Sequence, residues 1–242
     1  MKLDIIKPKI FPENKIIAGV TEKNIHIHPQ GFSFVETQLI DTNTAQLHRK
    51  LLANFLSITP DDFAFLKQTH SDVIHFVDSS FTMKEGDALI TKEKGKVLVV
   101  KIADCAGILV YDPRNQVIAA IHSGWRGSSK RITFKTINLL VKEFGTNPKD
   151  ALVYVSPVPS VLKYEVGEEV AKLFPRTTIK TSNGKYFFDN KKEILFQLLE
   201  CGVKEENIEI SPLCTISNVN LHSYRRDREK SGRMACFIGM RK

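Results

Sequence analysis

The sequence predicts an α+β fold in which mixed β-sheets are flanked by helices, in a single domain that covers residues 1–242. Short runs rich in β-branched residues, such as residues 96–103 (KVLVVKIA), are typical of buried strands. Residues 43–56 instead repeat apolar side chains at helical spacing. The two kinds of segment follow one another without a regular βαβ period, and no repeat or Gly/Ser linker divides the chain.

The N-terminal third contains four predicted elements. Residues 25–31 (IHIHPQG) alternate apolar and polar side chains, which predicts an exposed strand carrying His26 and His28. Residues 43–56 predict a helix, and residues 73–77 and 87–90 predict short strands.

Two apolar runs, residues 107–111 and 117–121, should pair as a β-hairpin. Residues 112–115 (DPRN) suit a turn, because Pro restricts φ and the Asp and Asn side chains bond to the local backbone. With the turn centred on Pro113 and Arg114, opposed residue numbers sum to about 227, so Cys105 faces His122 at about 4.5–5.5 Å between Cβ atoms. A slip of one residue would put the two side chains on opposite faces.

The rest of the chain continues the mixed pattern. Residues 122–129 (HSGWRGSS) predict a loop, with Ser128 or Ser129 as the cap of a helix over residues 130–144. Strands are predicted at residues 152–155, 186–188, 208–210 and 235–239. Helices are predicted at residues 167–174 and 191–201, the second ended by Gly202.

Composition limits the compartment and the partners. No stretch approaches the roughly 18 apolar residues that span a bilayer, and the N-terminus lacks a secretion signal, so we expect a cytoplasmic protein without membrane contact. Four scattered cysteines indicate reduced thiols. The net charge of +8 is densest at residues 224–233 (YRRDREKSGR), either a solvated surface or a small-anion site. Nucleic acid is not expected, because Asp227 and Glu229 interrupt the run and no stacking aromatics are interleaved.

Cys105 and His122 each stand where an apolar strand gives way to polar loop residues. A thiolate and an imidazole are suitable zinc ligands, and a third nitrogen ligand leaves one tetrahedral position for water, as in catalytic sites. His70, in KQTHSD, is the candidate third ligand. Taken singly, a buried cysteine is usually inert and a lone histidine is usually structural, so the hypothesis depends on the three lying together.

Six motifs, in the order KQTHSD, GDALIT, ADC, HSGWRG, YEVG and SYRRD…SGRMA, resemble the family variously called multicopper polyphenol oxidase, laccase-domain protein or purine nucleoside phosphorylase. The resemblance covers residues 65–240. It implies an α+β fold like that of the bacterial cytotoxic necrotizing factor toxins and a single metal, Zn²⁺, at His70, Cys105 and His122. It also implies phosphorolysis of adenosine, inosine or methylthioadenosine and, as a second activity, adenosine deamination, so the expected partners are a small-molecule nucleoside and phosphate.

The implied reaction assigns substrate-binding roles to further residues. Arg126, at the entrance to a predicted helix, and Arg225 or Arg226 are candidates for phosphate, because guanidinium groups match phosphate geometry. Arg126 could instead pair with an internal carboxylate. Trp125, the only tryptophan, either stacks on a purine or packs in the protein.

Catalytic roles fall on the metal ligands and on two acids. Cys105 and His122 would hold the zinc ion, which activates water for deamination. Asp87 and Asp104 either orient the ligand imidazoles, act as acid or base, or cap their loops.

Three other functions stay open at this point. Copper(II) outcompetes zinc at N/S sites, so a copper-dependent polyphenol oxidase is an alternative, although one His-X-His pair is few for a multicopper centre. A metal-free hydrolase would use Cys105 as nucleophile and His122 as base. A non-catalytic member would keep the metal for stability and act in peptidoglycan editing. Departures from the family pattern, such as His222 in place of an aromatic residue, motivate this last alternative.

Overall fold

The computed structural model describes residues 3–242, and it confirms the α+β class with mixed sheets flanked by helices. In those residues the strands are β1 (Ile5–Ile6), β2 (Ile16–Thr21), β3 (Phe63–Phe65), β4 (Ile74–Phe76), β5 (Ala88–Thr91), β6 (Val97–Ile102), β7 (Ala106–Asp112), β8 (Val117–Ser123), β9 (Leu152–Val155), β10 (Glu165–Val166), β11 (Thr178–Lys180), β12 (Tyr186–Phe188), β13 (Ile208–Ile210) and β14 (Met234–Met240). The α-helices of the same range are α1 (Thr42–Leu56), α2 (Trp125–Ser129), α3 (Ile132–Phe144), α4 (Glu168–Leu173), α5 (Asn190–Glu200) and α6 (Tyr224–Asp227).

Two large sheets pack face to face between helices. One sheet has the strand order β1-β2-β14-β6-β3, the other β13-β9-β7-β8-β5-β4, and a small sheet has the order β10-β12-β11. Apolar side chains of both large sheets share one buried cluster, which includes Leu98 of β6 and Leu109 of β7. Helix α1 covers the outer face of the first sheet, and α3 and α5 cover the outer face of the second.

This layering explains why the central strands read as continuous apolar runs. Every residue of β7 and β8 is buried, because one face packs on the other sheet and the opposite face packs on helices. Strand β6 is buried along its length except at Lys101, which is half-buried. A single charged residue in such a strand needs an explanation, since lysine is rarely buried without a partner.

The predicted hairpin is confirmed as β7 and β8, but its predicted register is wrong. Gly107 faces His122, so opposed residue numbers sum to 229 rather than 227. The turn has four residues in both cases but lies one residue later, at residues 113–116. The Asp112 carboxylate accepts hydrogen bonds from the backbone N–H groups of Arg114 and Asn115 and holds them outside the ladder. A shift of two residues preserves the face, so the side chains of Cys105 and His122 are diagonal rather than direct neighbours.

Two other local predictions are wrong. Residues 25–31 form turns rather than a strand, with the Gly31 N–H bonded to the His28 carbonyl. Ser128 and Ser129 do not cap α3, because they lie inside the short helix α2, and α3 begins after Arg131 in a left-handed conformation (φ 61°). The Ser128 hydroxyl instead donates to the Asn190 side chain and so joins α2 to α5.

The other predicted elements are confirmed, with ends that move by up to two residues. Strands β9, β12 and β13 have the predicted bounds, and Gly202, at φ 88°, follows α5. Strands β1, β2, β3, β10 and β11 were not predicted. Among the described residues, no helix is both long and apolar enough to cross a membrane.

Candidate metal centre

The structure brings His70, Cys105 and His122 together from three separate parts of the chain. Their ligand atoms all lie within 4.8 Å of one another, and the Cys105 Sγ is 3.8 Å from the His70 Nε2. The rings of His70 and His122 meet edge to face, with centroids 5.0 Å apart. We call these three residues the metal-ligand cluster. Among residues 3–242 no other group of His, Cys, Asp or Glu side chains has this arrangement.

Asp87 positions both histidines of the cluster. It is fully buried just before β5, and its carboxylate accepts a hydrogen bond of 2.8 Å from the His122 Nδ1. The same carboxylate accepts the backbone N–H groups of Thr69, His70 and Ser71, which holds His70 in a left-handed conformation (φ 56°). Because the Nδ1 proton of His122 points to Asp87, the Nε2 atom is left to accept a metal.

Gly124 makes room for the thiol. A Cβ atom at this position would lie 2.4 Å from the Cys105 Sγ and 3.7 Å from the His70 Cδ2, so any side chain would displace the cluster. Gly124 follows β8 directly and precedes α2, within the HSGWRG motif. The glycine is therefore part of the cluster's geometry.

The charges in the cluster favour a thiolate. Burial raises the pKa of the Cys105 thiol, but the His122 and His70 imidazoles outweigh it and lower that pKa below its usual value. Burial lowers the pKa of His122, but Cys105 and the Asp87 carboxylate outweigh it and raise that pKa above its usual value. A thiolate is the form of cysteine that binds metals.

The three side chains fit a zinc ion. With Zn–S near 2.3 Å and Zn–N near 2.0–2.1 Å, tetrahedral geometry puts sulfur and nitrogen about 3.6 Å apart, close to the 3.8 Å between Cys105 and His70. Three protein ligands leave a fourth position, as in catalytic zinc sites. The donor set is equally acceptable to copper, so the geometry supports a metal without naming it.

The cluster opens into a cavity of about 610 Å³. Of the residues predicted to bind substrate, Trp125, Arg126 and Arg225 line it. Trp125 is half-buried, packs against the apolar cluster around Tyr164, and carries the Arg126 guanidinium 4.2 Å from its ring centroid. Among the residues described, Arg126 makes no salt bridge with a carboxylate, so the predicted alternative of an internal ion pair is wrong.

Arg226 does not reach the cavity. Its guanidinium forms a two-pronged ion pair with Asp227, at 2.8 and 2.7 Å. Its remaining donors bind the carbonyl oxygens of Thr215, Ile216, Asn218 and Leu221. All donors are used inside the protein, so the prediction of Arg226 as an anion ligand is corrected to a structural role that fixes residues 215–221.

Asp104 is also occupied by structural contacts. Its carboxylate accepts from the Thr215 hydroxyl and from the backbone N–H of Arg225, both at 2.6 Å. These bonds attach the loop before Cys105 to the start of α6. Of the three roles considered for Asp104, the structure favours the loop cap.

Several residues that line the cavity were not predicted from the sequence. The aromatic side chains of Tyr164 and Tyr224 face it, as do three further cations. We call the full set of basic side chains around the cavity the cationic wall, which consists of Lys101, Arg126, Arg225, Arg228 and Arg233. A lysine inside the apolar run KVLVVKIA was the available signal for Lys101. Arg233 stands in the SGRMA motif.

The chain is similar to proteins of known sequence and structure. A family model described as multi-copper polyphenol oxidoreductase laccase matches residues 36–241. A purine nucleoside phosphorylase of Clostridium acetobutylicum is 38% identical over 185 residues, covering 73% of this chain and 76% of the relative. A purine nucleoside phosphorylase of Aquifex aeolicus is 39% identical over 189 residues, covering 77% of this chain and 88% of the relative. The crystal structure of YlmD from Geobacillus stearothermophilus has a TM-score of 0.88 at 27% identity, covering 97% of this chain and 94% of that chain.

Proposed function

The chain belongs to the multi-copper polyphenol oxidoreductase laccase family, and from that premise we propose that it is a zinc-dependent purine nucleoside enzyme. The proposed reaction is phosphorolysis of adenosine, inosine or methylthioadenosine. The observation that carries the proposal is the metal-ligand cluster beneath a cavity with basic and aromatic walls. Relatives that are 38% and 39% identical bear the name purine nucleoside phosphorylase, which supports the substrate class.

The residues of the chain suit the parts of this reaction. When bound, a zinc ion supplies Lewis-acid chemistry, which polarises oxygen-containing groups and activates water. Asp87 binds His122 through Nδ1, at 2.8 Å, which leaves Nε2 as the atom that would hold the metal. Trp125, Tyr164 and Tyr224 offer aromatic surface for a purine.

Phosphorolysis itself needs no redox partner. A phosphate oxygen forms a bond to C1′ of the ribose while the bond from C1′ to the purine nitrogen breaks. The electron pair stays on the purine, which receives the proton that phosphate gives up, and the products are the free base and ribose 1-phosphate. The cationic wall stabilises the phosphate charge during this exchange. Adenosine deamination by activated water is the proposed second activity.

A product assay with a matched cysteine variant tests the proposal. Wild-type protein incubated with adenosine and phosphate should release adenine, with inosine or hypoxanthine as deamination products. Liquid chromatography separates and quantifies these products. Cys105→Ala should reduce turnover by about 1,000-fold or more, because loss of a residue in a catalytic unit has effects of that size. Cys201→Ala is the control, since Cys201 caps α5 and does not line the cavity. No product from the wild type, or undiminished product from Cys105→Ala, would contradict the proposal.

A copper-dependent phenol oxidase is a second candidate, supported by the description of the family model. The metal-ligand cluster suits a single copper ion. His26 and His28 do not add to it, because they lie in the turns of residues 25–31 and outside the cavity lining. Metal analysis of protein expressed without added copper, followed by a phenol-oxidation assay, distinguishes the two metals and reactions.

A cysteine hydrolase without metal is a third candidate. It is supported by the contacts of His122 with Cys105 on one side and with Asp87 on the other. Labelling of Cys105 with iodoacetamide separates it from the zinc enzyme. A metal ligand should react faster once chelator is present, whereas a free nucleophile should react equally fast in both conditions. If chelator lowers the melting temperature but no nucleoside is turned over, a non-catalytic role is favoured.

A further inference from the structure

Lys101 is a charged residue within a buried strand. It stands in β6, whose other residues are all buried, and alternation puts it on the same face as Val97 and Val99, towards the apolar cluster under α1. Its side chain lines the cavity of the metal-ligand cluster. A lysine in this position loses much of its hydration and is expected to have an anionic partner.

Arg233 is the neighbour of Lys101 across the sheet. Strand β14 pairs antiparallel with β6, and Lys101 faces Ala235 in that ladder. Arg233 precedes Ala235 by two residues, so its side chain lies on the same face, diagonal to Lys101. Both line the same cavity. The register of β6 and β14 therefore places two cations side by side.

No carboxylate forms an ion pair with either cation among residues 3–242, although the charges of Cys105 and Asp104 act on Arg233. Asp87 is the acid whose charge acts on Lys101, but its oxygens already accept hydrogen bonds from His122, from Ser71 and from backbone N–H groups. Burial, then repulsion from Arg233, lowers the pKa of Lys101 to about 8.

Both side chains keep donors for a ligand. The Lys101 ammonium has three N–H donors and donates one hydrogen bond within the protein, to the Leu66 carbonyl at 2.7 Å. The Arg233 guanidinium uses Nη1 for the carbonyls of Ser231 and Gly232, while its Nε and Nη2 bind no described residue. Carbonyl groups therefore hold the two cations in place, and each cation keeps N–H donors that can bind a ligand.

The other members of the cationic wall lie outside the paired strands β6 and β14. Arg126 is exposed and stacked on Trp125. Arg225 lies over Tyr164, 5.2 Å from the ring centroid, and donates to the Glu165 carbonyl. Arg228 is exposed. Lys101 and Arg233 are half-buried and also lie near aromatic rings, Lys101 6.0 Å from the Phe65 ring centroid and Arg233 5.5 Å from that of Tyr224. They differ from the other members in being neighbours across the pairing of β6 and β14.

We propose that Lys101 and Arg233 form the subsite that holds the phosphate co-substrate, a tetrahedral oxyanion, beside the metal-ligand cluster. The proposal rests on the proposed function for the role of that phosphate in the reaction, but the binding itself does not depend on turnover. It assigns the phosphate to two cations placed by the pairing of β6 and β14, rather than to Arg126 and Arg225.

Two measurements on the same variants test the subsite. Lys101→Met removes the charge and keeps an unbranched side chain, Arg233→Gln tests the second cation, and Lys142→Met on the exposed surface of α3 is the matched control. We expect both site variants to raise the KM for phosphate about 10- to 100-fold, because hydrogen bonds to charged groups have that strength. The KM for the nucleoside should change less than about twofold.

Direct binding of inorganic phosphate, by calorimetry on metal-loaded protein without nucleoside, separates this proposal from the proposed function. Phosphate binding that is lost in Lys101→Met but kept in Lys142→Met supports the subsite even if no nucleoside is cleaved. Turnover with an unchanged KM for phosphate in Lys101→Met overturns the subsite and leaves the proposed function standing. Adenosine 5′-monophosphate is the second probe. If it binds in a Lys101-dependent way while inorganic phosphate does not, the subsite serves a phosphate ester and the co-substrate assignment is overturned.

Discussion

In the metal-ligand cluster the polar groups are fixed by buried partners, whereas the cationic wall of the same cavity keeps several donors open. Asp87 alone accepts hydrogen bonds from His122, Ser71 and three successive backbone N–H groups. In the same cavity, Lys101 and Arg233 form no ion pair with a carboxylate among the described residues and keep N–H donors unused.

The difference indicates what each region binds. A metal needs ligands already oriented, because a buried ion tolerates little movement of its donors. A polyatomic anion is recognised by several donors that can adjust around it. The cluster should therefore lose function through small changes in geometry, and the wall through changes in charge.

The largest expected effect is that of Asp87→Asn. An amide offers one acceptor oxygen and turns an N–H group towards donors, so His122 and the backbone of residues 69–71 lose their common partner. We expect metal affinity to fall about 10- to 100-fold and the free energy of unfolding to fall by about 3–5 kcal/mol. Chelator competition and urea unfolding measure the two quantities.

Asp112→Asn is the control for Asp87→Asn. Asp112 is a buried carboxylate at the other end of β7, where it holds the hairpin turn. Its variant should lower stability without changing metal affinity. Equal losses of metal affinity in both variants would show that Asp87 acts only through general stability.

A smaller effect on stability is expected from His222, which holds the segment before Arg233 of the cationic wall. Its Nδ1 accepts from the Gly232 N–H, next to Arg233, and its Nε2 donates to the Phe32 carbonyl. Burial lowers the pKa of His222 to about 4, against about 6.5 in an unfolded chain. Between these pH values the unfolded chain binds more protons than the folded protein. The free energy of unfolding therefore keeps its full value above pH 6.5 and falls as the pH drops towards 4.

The loss from His222 should reach about 3 kcal/mol at pH 4. Urea unfolding at pH 7, 5.5 and 4 measures it, with His222→Asn as the variant that cannot titrate. We expect the variant to lose less stability than the wild type over this range. Parallel pH profiles would show that His222 is hydrated in the folded protein.

The smallest expected effect is that of Arg225→Gln. The variant loses one hydrogen bond to the Glu165 carbonyl and the contact with Tyr164, which supports aromatic surface for the purine. The KM for the nucleoside should rise about 3- to 10-fold, with stability unchanged within about 0.5 kcal/mol. Arg114→Gln, in the exposed turn of the hairpin, makes the same change of charge far from the cavity. A rise in the KM for phosphate instead would move Arg225 into the anion subsite.

The local sequence pattern was sufficient to predict those elements whose structure is decided by neighbouring residues. The apolar runs of β7 and β8 and the turn residues between them predicted the hairpin, because burial on both faces demands such runs. The N-terminal segment was less predictable. Strand β2 pairs with β14, whose residues are between 216 and 224 positions away in sequence, and no local pattern reports such a partner. The helical spacing of α1 was readable because one face of it packs on the first sheet.

The sequence by itself determined the residue types of the cluster, the hairpin, and the shared face of Cys105 and His122, since a face depends only on whether the register shift is even or odd. Tertiary structure alone decided that Asp87 orients both histidines, that Arg226 is consumed by carbonyl groups, and that Lys101 lies beside Arg233. The contacts of Asp87 with the two histidines join residues 17 and 35 positions apart, and Lys101 and Arg233 stand on segments more than 100 positions apart. The contacts of Arg226 span only 5 to 11 positions but depend on the folded course of residues 215–221. Periodicity reports which face a residue takes, but its partner on that face is chosen by the packing of the whole sheet.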